Sequence, residues 1–240
     1  MVYTLLHKPT GYVQIQPGTV GLQVGDYPER IGDVRDSDAE DNIAGWNNLY
    51  AELTGIYYIW KHDNDELKGQ HQYRRWLPLI NGIPEGYRVR TMRPLSLQCT
   101  MGEQYCLFHS PKDLETVTKI ISAAHPDYLD DWGKVLNGHT IYYSNGFLMH
   151  RKDYDAYCRF LFGIFELFRH VRGWEKPEDS TIEVENDIRN RLRNGVRGVK
   201  YQNQIFGFLS ERLLTLWLTH NIPYDEIWTD PYLLRENSGI

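Results

Sequence analysis

Apolar residues along this chain recur at two periods, and the changes between them mark out its elements. Val2-Tyr3-Thr4-Leu5-Leu6 is a short β-prone run that predicts a first strand. Residues 9–48 are rich in Gly, Pro, Asp and Asn and lack a period, which predicts a long loop. Loops of that length inside a compact domain usually carry function. Leu49, Leu53, Ile56 and Trp60 then share one face of a helix predicted over 47–61. Gly69 opens a predicted strand that ends at Leu77, where Pro78 stops it. Along that strand His71, Tyr73 and Arg75 share one face, and Gln72, Arg74 and Trp76 the other.

Further on, Pro111 starts a predicted helix through about Ala124. Thr140-Ile141-Tyr142-Tyr143 predicts a strand, Ser144-Asn145-Gly146 a turn, and Phe147-Leu148-Met149 a continued apolar run. Helices are predicted over 153–171 and 205–219, both apolar nearly all round. The first keeps a polar stripe of Arg159, Glu166, Arg169 and His170. The second holds Ser210-Glu211-Arg212 inside an otherwise apolar sequence. A helix with so little polar face is buried, so its charges must be paired or functional. Alternating strand and helix signals favour an α/β fold with its sites at the strand ends.

Composition narrows the function classes. The 240 residues suit one large domain, and 41% hydrophobic with 24% charged residues is ordinary for a soluble globular protein. The 17 tyrosines and 7 tryptophans suit carbohydrate faces and interfaces, and equally an ordinary core. A net charge of -6 argues against nucleic acid as the partner. Cys99, Cys106 and Cys158 fit no zinc or redox spacing and read as thiols of a reducing compartment. The first residues lack a signal-peptide pattern and no run approaches a membrane span, so a cytoplasmic location is expected. Residues 175–187 are acidic. Beyond them Arg189, Arg193, Arg197 and Lys200 fall on one helical face, which fits either an anionic lipid surface or plain solvent. The paired guanidiniums of Arg74 and Arg75 fit phosphate oxygens, and also fit two surface arginines on a strand.

Several segments together, in order across nearly the whole chain, resemble one family. They are His7-Lys8, Gln23-Val24-Gly25, Asp41-Asn42-Ile43, Tyr50-Ala51-Glu52-Leu53-Thr54 with Tyr58-Ile59-Trp60-Lys61, and Gln72-Tyr73-Arg74-Arg75. Later come His125-Pro126-Asp127-Tyr128-Leu129, Asn145-Gly146-Phe147-Leu148-Met149, Tyr157 to Phe162 and Gly207 to Leu214. The set is similar to the bacterial capsular and exopolysaccharide glycosyltransferases first catalogued as a domain of unknown function. That resemblance implies an α/β fold, a Rossmann-like variant of GT-A with additional C-terminal helices. It implies a single domain, with a nucleotide-sugar half over 1–110 and a helix-rich acceptor half over 111–240. The implied donor is a nucleotide-sugar, a UDP-sugar first. The implied acceptor is a lipid-linked or oligosaccharide chain of a surface polysaccharide, met on the inner face of the inner membrane. Two positions depart from the pattern: the family has His where this chain has Gln72, and Met where it has Gly146. Gln hydrogen-bonds but carries no proton in catalysis.

Under that resemblance Lys8, Asp41, Asn42, Lys61, His71, Gln72, Tyr73, Arg74 and Arg75 are candidate donor-binding residues. Glu211 and Asp131 are candidate catalytic carboxylates, and His109, Asn145 and Arg212 candidate acceptor contacts. The leaving nucleoside diphosphate needs a metal or cationic side chains to stabilise its charge. Asp63-Asn64-Asp65 has the Asp-x-Asp spacing of a metal site, but it follows a helix in a polar run and reads as a turn. No metal ligand is therefore assigned, and Mg²⁺ or Mn²⁺ dependence stays open. Asp41-Asn42 also reads as a helix cap, Glu52 and Lys61 as dipole-favoured ends, and Glu211 as the partner of a core arginine. A non-catalytic sugar-nucleotide or glycan-binding subunit is the alternative to a transferase.

Overall fold

In a computed structural model, which describes residues 1–9, 14–25, 27–78, 82–191, 198–231 and 233–234 (backbone alone at 188–191 and 233–234), the opening apolar run is β1 (Val2–Leu6). The predicted long loop contains two strands, β2 (Val20–Gln23) and β3 (Val34–Arg35). They are too short, and β2 too interrupted by Gly21, to show an alternating pattern. Parallel pairing with β1 holds β2, and β3 pairs with β2 in turn.

The helix predicted over 47–61 is broken. Ala51 has φ of 50°, which separates α1 (Asn47–Tyr50) from α2 (Leu53–His62). Glu52 thereby becomes the N-terminal flanking residue of α2. The strand predicted over 69–77 is broken as well. β4 (Leu67–Gln72) ends in a reversal at Tyr73-Arg74, and β5 (Arg75–Trp76) folds back so that Arg75 pairs with Gln72. The two arginines therefore serve different places instead of opposite faces of one strand.

Next come β6 (Val89–Met92), β7 (Leu95–Ser96), α3 (Met101–Phe108), α4 (Pro111–Ala124), α5 (Leu129–Asn137), β8 (Thr140–Ile141) and β9 (Phe147–His150). The remaining elements are α6 (Arg151–Arg172), α7 (Pro177–Arg191), α8 (Val199–Gln202), α9 (Ile205–Asn221), β10 (Ile227–Asp230) and β11 (Leu233–Leu234). The helices predicted at 111–124, 153–171 and 205–219 thus form as α4, α6 and α9. The start of α3 carries a full capping box between Thr100 and Glu103.

The main sheet has the order β10-β6-β9-β4-β1-β2-β3. Along this path all strands run parallel except β9, which is antiparallel to β4 and β6. Strands β9 and β10 come from beyond residue 110, so the sheet draws on both sides of that position. The chain moves outward from β1 to β2 and β3, then returns to place β4 on the other side of β1. That reversal is a topological switch point, whose crevice opens at the carboxyl ends of β1 and β4.

Helices α6 and α9 form the apolar centre, with Phe165 stacked on Phe206 at 4.1 Å. Tyr50 of α1 meets Phe206 edge-on at 4.7 Å. Burying each such ring contributes roughly 1.5–3 kcal/mol. Among the described residues no helix is long and apolar enough to cross a membrane. Of the basic face, only the Lys200 side chain lies within the described residues, and it is exposed; those of Arg189, Arg193 and Arg197 lie outside them.

Gly69 sits where β4 meets antiparallel β9. A Cβ there would lie 2.5 Å from the Phe147 carbonyl oxygen and 2.9 Å from Leu148 Cα. Backbone cannot yield as a side-chain tip can. Gly69→Ala is expected to cost about 1–3 kcal/mol, read as a lower midpoint in urea unfolding. An unchanged midpoint would mean the two strands are not so closely apposed.

Candidate functional site

The carboxyl ends of β1 and β4 deliver His7-Lys8 and Tyr73-Arg74 to the switch-point crevice. His7 meets the Tyr73 ring edge-on at 5.1 Å, and the Arg74 guanidinium lies 5.0 Å from the same ring's centre. The His7 imidazole is lowered to about 4, first by partial desolvation and then by the positive charges of Lys8, Arg74 and Lys200. Three exposed cations thus converge on one neutral histidine. Such a concentration of positive charge suits an anion.

Beside it lies a half-buried hydrogen-bond network. Oε1 of Glu52 accepts from Gln72 Nε2 and from Asn145 Nδ2, both at 3.1 Å. Arg75 Nη1 donates to Gln72 Oε1 at 2.8 Å, so the Gln72 amide bridges an arginine and a glutamate. Burial raises the Glu52 carboxyl, opposed by its bonds from Asn145 and Gln72 and by the Arg75 charge. Asn145 Nδ2 also donates to Ser210 Oγ at 2.8 Å, and its carbonyl accepts from Gln70 at 2.7 Å. Asn145 Oδ1 is buried without a partner among the described residues. Ser144 and Asn145 have φ of 69° and 50°. Two successive non-glycine residues in the left-handed region cost of order 1–3 kcal/mol each, and such strain gathers at functional sites.

Ser144 N–H donates to Glu211 Oε1 at 2.9 Å, linking this turn to α9. Glu211 is buried. Desolvation raises its carboxyl from 4.5 to about 7, against the pull of Arg212 and the Ser144 N–H, while Glu52 adds to the rise. Arg212 Nη1 donates to Glu211 Oε2 at 3.2 Å and to the Phe208 carbonyl at 2.8 Å; its Nη2 donates to Gln104. Glu211, Arg212, His109 and Tyr143 line a cleft of about 260 Å³ between α3, β8 and α9. The Arg75 guanidinium stands 5.1 Å from the Tyr143 ring centre, which joins the cleft to the network.

The structure therefore brings together Lys8, Tyr73 and Arg74 at the crevice, Gln72, Arg75 and Asn145 in the network, and His109, Glu211 and Arg212 in the cleft. Other predicted residues lie elsewhere. Asp41 accepts from Tyr57 and pairs with Lys61 at 3.5 Å, at the end of α2 opposite Glu52. Asn42 closes its own turn onto the Ala39 carbonyl and Ala44 N–H. His71 is a buried sheet residue bonded to Thr4 at 2.8 Å, and burial lowers its imidazole to about 3. Asp131 pairs with Lys134 and His220, fixing α5 to the far end of α9. Asp63 and Asp65 precede β4 at its amino end, away from the crevice, and pair with the Met1 ammonium. Their carboxylates do not fit a metal at the crevice. Among the described residues no three His, Cys, Asp or Glu side chains gather as a metal cluster.

A family model matches residues 1–84 and 83–222, more than half of the sequence. The chain belongs to the DUF4422 family, a domain of unknown function. No curated protein matches it. Among solved structures it is similar to the apo form of WbbM, a bifunctional glycosyltransferase, with a TM-score of 0.71 and 19% identity. The match covers 96% of this chain and 44% of that one, so this chain spans less than half of its structural neighbour. The likeness establishes the fold: mixed α/β, Rossmann-like, with a mostly parallel sheet. Sequence reasoning missed Glu52 as a hub and gave no signal for Tyr143, Tyr201 and Phe208, which also line the cleft. Its one hint for Glu52 was an acid one turn into the helix predicted over 47–61.

The Gly146 departure has a physical counterpart. A Cβ at residue 146 would lie 2.8 Å from Met92 Cε, so the Met92 side chain fills the space beside Gly146, the position where the resemblance expects methionine. Gly146→Met is expected to lower the melting temperature, and Met92→Gly in the same chain to restore much of it. A double-mutant cycle should give coupling of about 1 kcal/mol or more; additive losses would contradict the exchange.

Glu211 also predicts a pH effect. Its folded pKa lies above its unfolded one, so the stability it contributes is present below about pH 4.5 and is lost as pH rises to about 7. Glu211→Gln removes that loss. The melting temperature of the variant relative to the parent should therefore climb between these pH values; a flat difference would place Glu211 in a solvated site.

Proposed function

We propose that this DUF4422 chain is a glycosyltransferase that moves a sugar from a nucleoside-diphosphate sugar to a saccharide acceptor. The observation that carries the reading is that the carboxyl ends of β1 and β4 deliver exposed Lys8 and Arg74 to one crevice, with Arg74 5.0 Å from the Tyr73 ring centre and Lys200 adding positive charge at His7. A diphosphate there meets three cations, and as a leaving group it gains negative charge during transfer. The fold likeness to a glycosyltransferase supports the same reading.

The residues suggest this sequence of events. Arg75, held by Gln72, and Asn145 orient the donor sugar, with Lys8, Arg74 and Lys200 along its diphosphate. Glu211, poised near neutrality, takes the proton from the attacking acceptor hydroxyl. The hydroxyl oxygen forms a bond to the anomeric carbon while the bond from that carbon to the phosphate oxygen breaks. Its electron pair leaves with the nucleoside diphosphate. Attack opposite the leaving group inverts that carbon. In the finer reading the nucleotide is uridine diphosphate and the acceptor a lipid-linked or oligosaccharide surface polysaccharide in the cytoplasm. Contact with a membrane through Arg189, Arg193, Arg197 and Lys200 rests on the sequence pattern.

A binding-only subunit is favoured by one observation: the Gln72 amide, at the position where the resemblance expects histidine, is committed at both ends. Titration calorimetry with UDP and UDP-sugars tests donor binding. Arg74 is exposed, so Arg74→Ala should change stability by less than about 0.5 kcal/mol. It should weaken donor affinity about tenfold or more. Equal affinity in parent and variant would remove Arg74 from the donor site, and no nucleotide binding at all would contradict the transferase reading.

A further inference from the structure

The cleft between α3, β8 and α9 has walls and floor of different character. Its walls are ring faces. His109 stacks on Phe208 at 4.0 Å, and Tyr201 lies 4.8 Å from Phe208. Tyr143 and the half-exposed Phe108 complete the wall, with Leu95 at the rim. Its floor is Glu211, Arg212 and Gln104. A small apolar, aromatic enclosure with a few convergent polar groups is the usual form of a ligand site.

The polar groups restrict the ligand's charge. Both terminal nitrogens of Arg212 are committed, to Phe208, Glu211 and Gln104. His109 Nδ1 is engaged with Gln202 at 3.1 Å. The Arg212 charge is thus answered by Glu211, with its Nε buried and without a partner among the described residues, so the floor offers an anion no net positive charge. Of the crevice cations, Lys200, which acts on His7, directly precedes Tyr201 in the chain. Anion recognition and aromatic stacking are therefore divided between two adjoining places.

We infer that this cleft is a binding site for a neutral pyranose, stacked by its apolar C–H face on the Tyr201, Phe208 and Tyr143 wall. A pyranose offers flat C–H faces to rings and hydroxyls to Glu211 and Gln104. A volume of about 260 Å³ suits one ring, with further units of a chain leaving past Phe108. This deepens the transferase reading and rests on it only for the name acceptor; the sugar site itself stands on the cleft.

Saturation-transfer NMR of the whole chain tests it, with methyl hexopyranosides and neutral disaccharides as probes and glucuronate and glucose 6-phosphate as anionic counterparts. Saturation of the neutral sugars' ring protons is expected, falling about threefold or more in Tyr201→Ala and in Phe108→Ala. Phe108 is 51% exposed, so its truncation leaves the fold intact even if the Tyr201 variant melts earlier. UDP binding, measured by calorimetry on the same samples, is expected to be unchanged in both. Stronger saturation of the anionic sugars would overturn the inference, as would neutral-sugar signals indifferent to both substitutions. Sugar saturation without any nucleotide binding would keep the cleft and remove the transferase. Nucleotide binding with no sugar saturation would do the reverse.

Discussion

One carboxylate oxygen holds the centre of this molecule together. Oε1 of Glu52 takes an amide N–H from the end of β4 and another from the turn before β9, while its own backbone starts α2. Those three elements enter the site from different directions. Without that acceptor, the Gln72 amide loses a half-buried partner and the Asn145 amide keeps only Ser210, at about 0.5–1.5 kcal/mol for each bond lost. The acid is itself costly to bury, and Arg75 offsets part of that through the Gln72 bridge. The Arg75 guanidinium then lies over Tyr143, so its position also sets one wall of the cleft. Donor crevice, strained turn and aromatic cleft are thereby fixed relative to each other by a few bonds.

That arrangement gives a physical setting to Gln72 and Gly146, the two positions at which the sequence departs from the resemblance. Gln72 is neutral and has a donor and an acceptor at its tip. Both are used, one toward Glu52 and one from Arg75. Gly146 leaves a gap that Met92 fills from the adjoining strand. In both cases the local chemistry is closed within this chain, and the site keeps its shape.

The legible parts of the fold were those with strong periodicity. α4, α6 and α9 follow from apolar spacing, and the burial of Glu211 follows from its place in a helix with no polar face. β2, β3 and β5 were hidden because strands of two to four residues carry no period, and pairing partners far along the chain create them. The breaks at Ala51 and at Tyr73-Arg74 were hidden for a related reason: tertiary contacts override local preference. The capping box at Thr100 was present and readable. Asp41 has the right chemistry for a donor contact and Asp131 for a catalytic base, yet each is committed to lysine and aromatic or histidine partners away from the crevice. Sequence supplies residue types in order; which of them share a site depends on the sheet order and on the reversal after Gln72.

The most direct test is release of nucleoside diphosphate from a panel of UDP-sugars, with and without neutral oligosaccharides, by the parent chain and by Glu211→Gln. The account expects release that depends on an oligosaccharide, rises with pH through about 7, and is lost in the variant while UDP still binds. Release that is indifferent to the oligosaccharide and to Glu211, or none with any donor at saturating concentration, would contradict it.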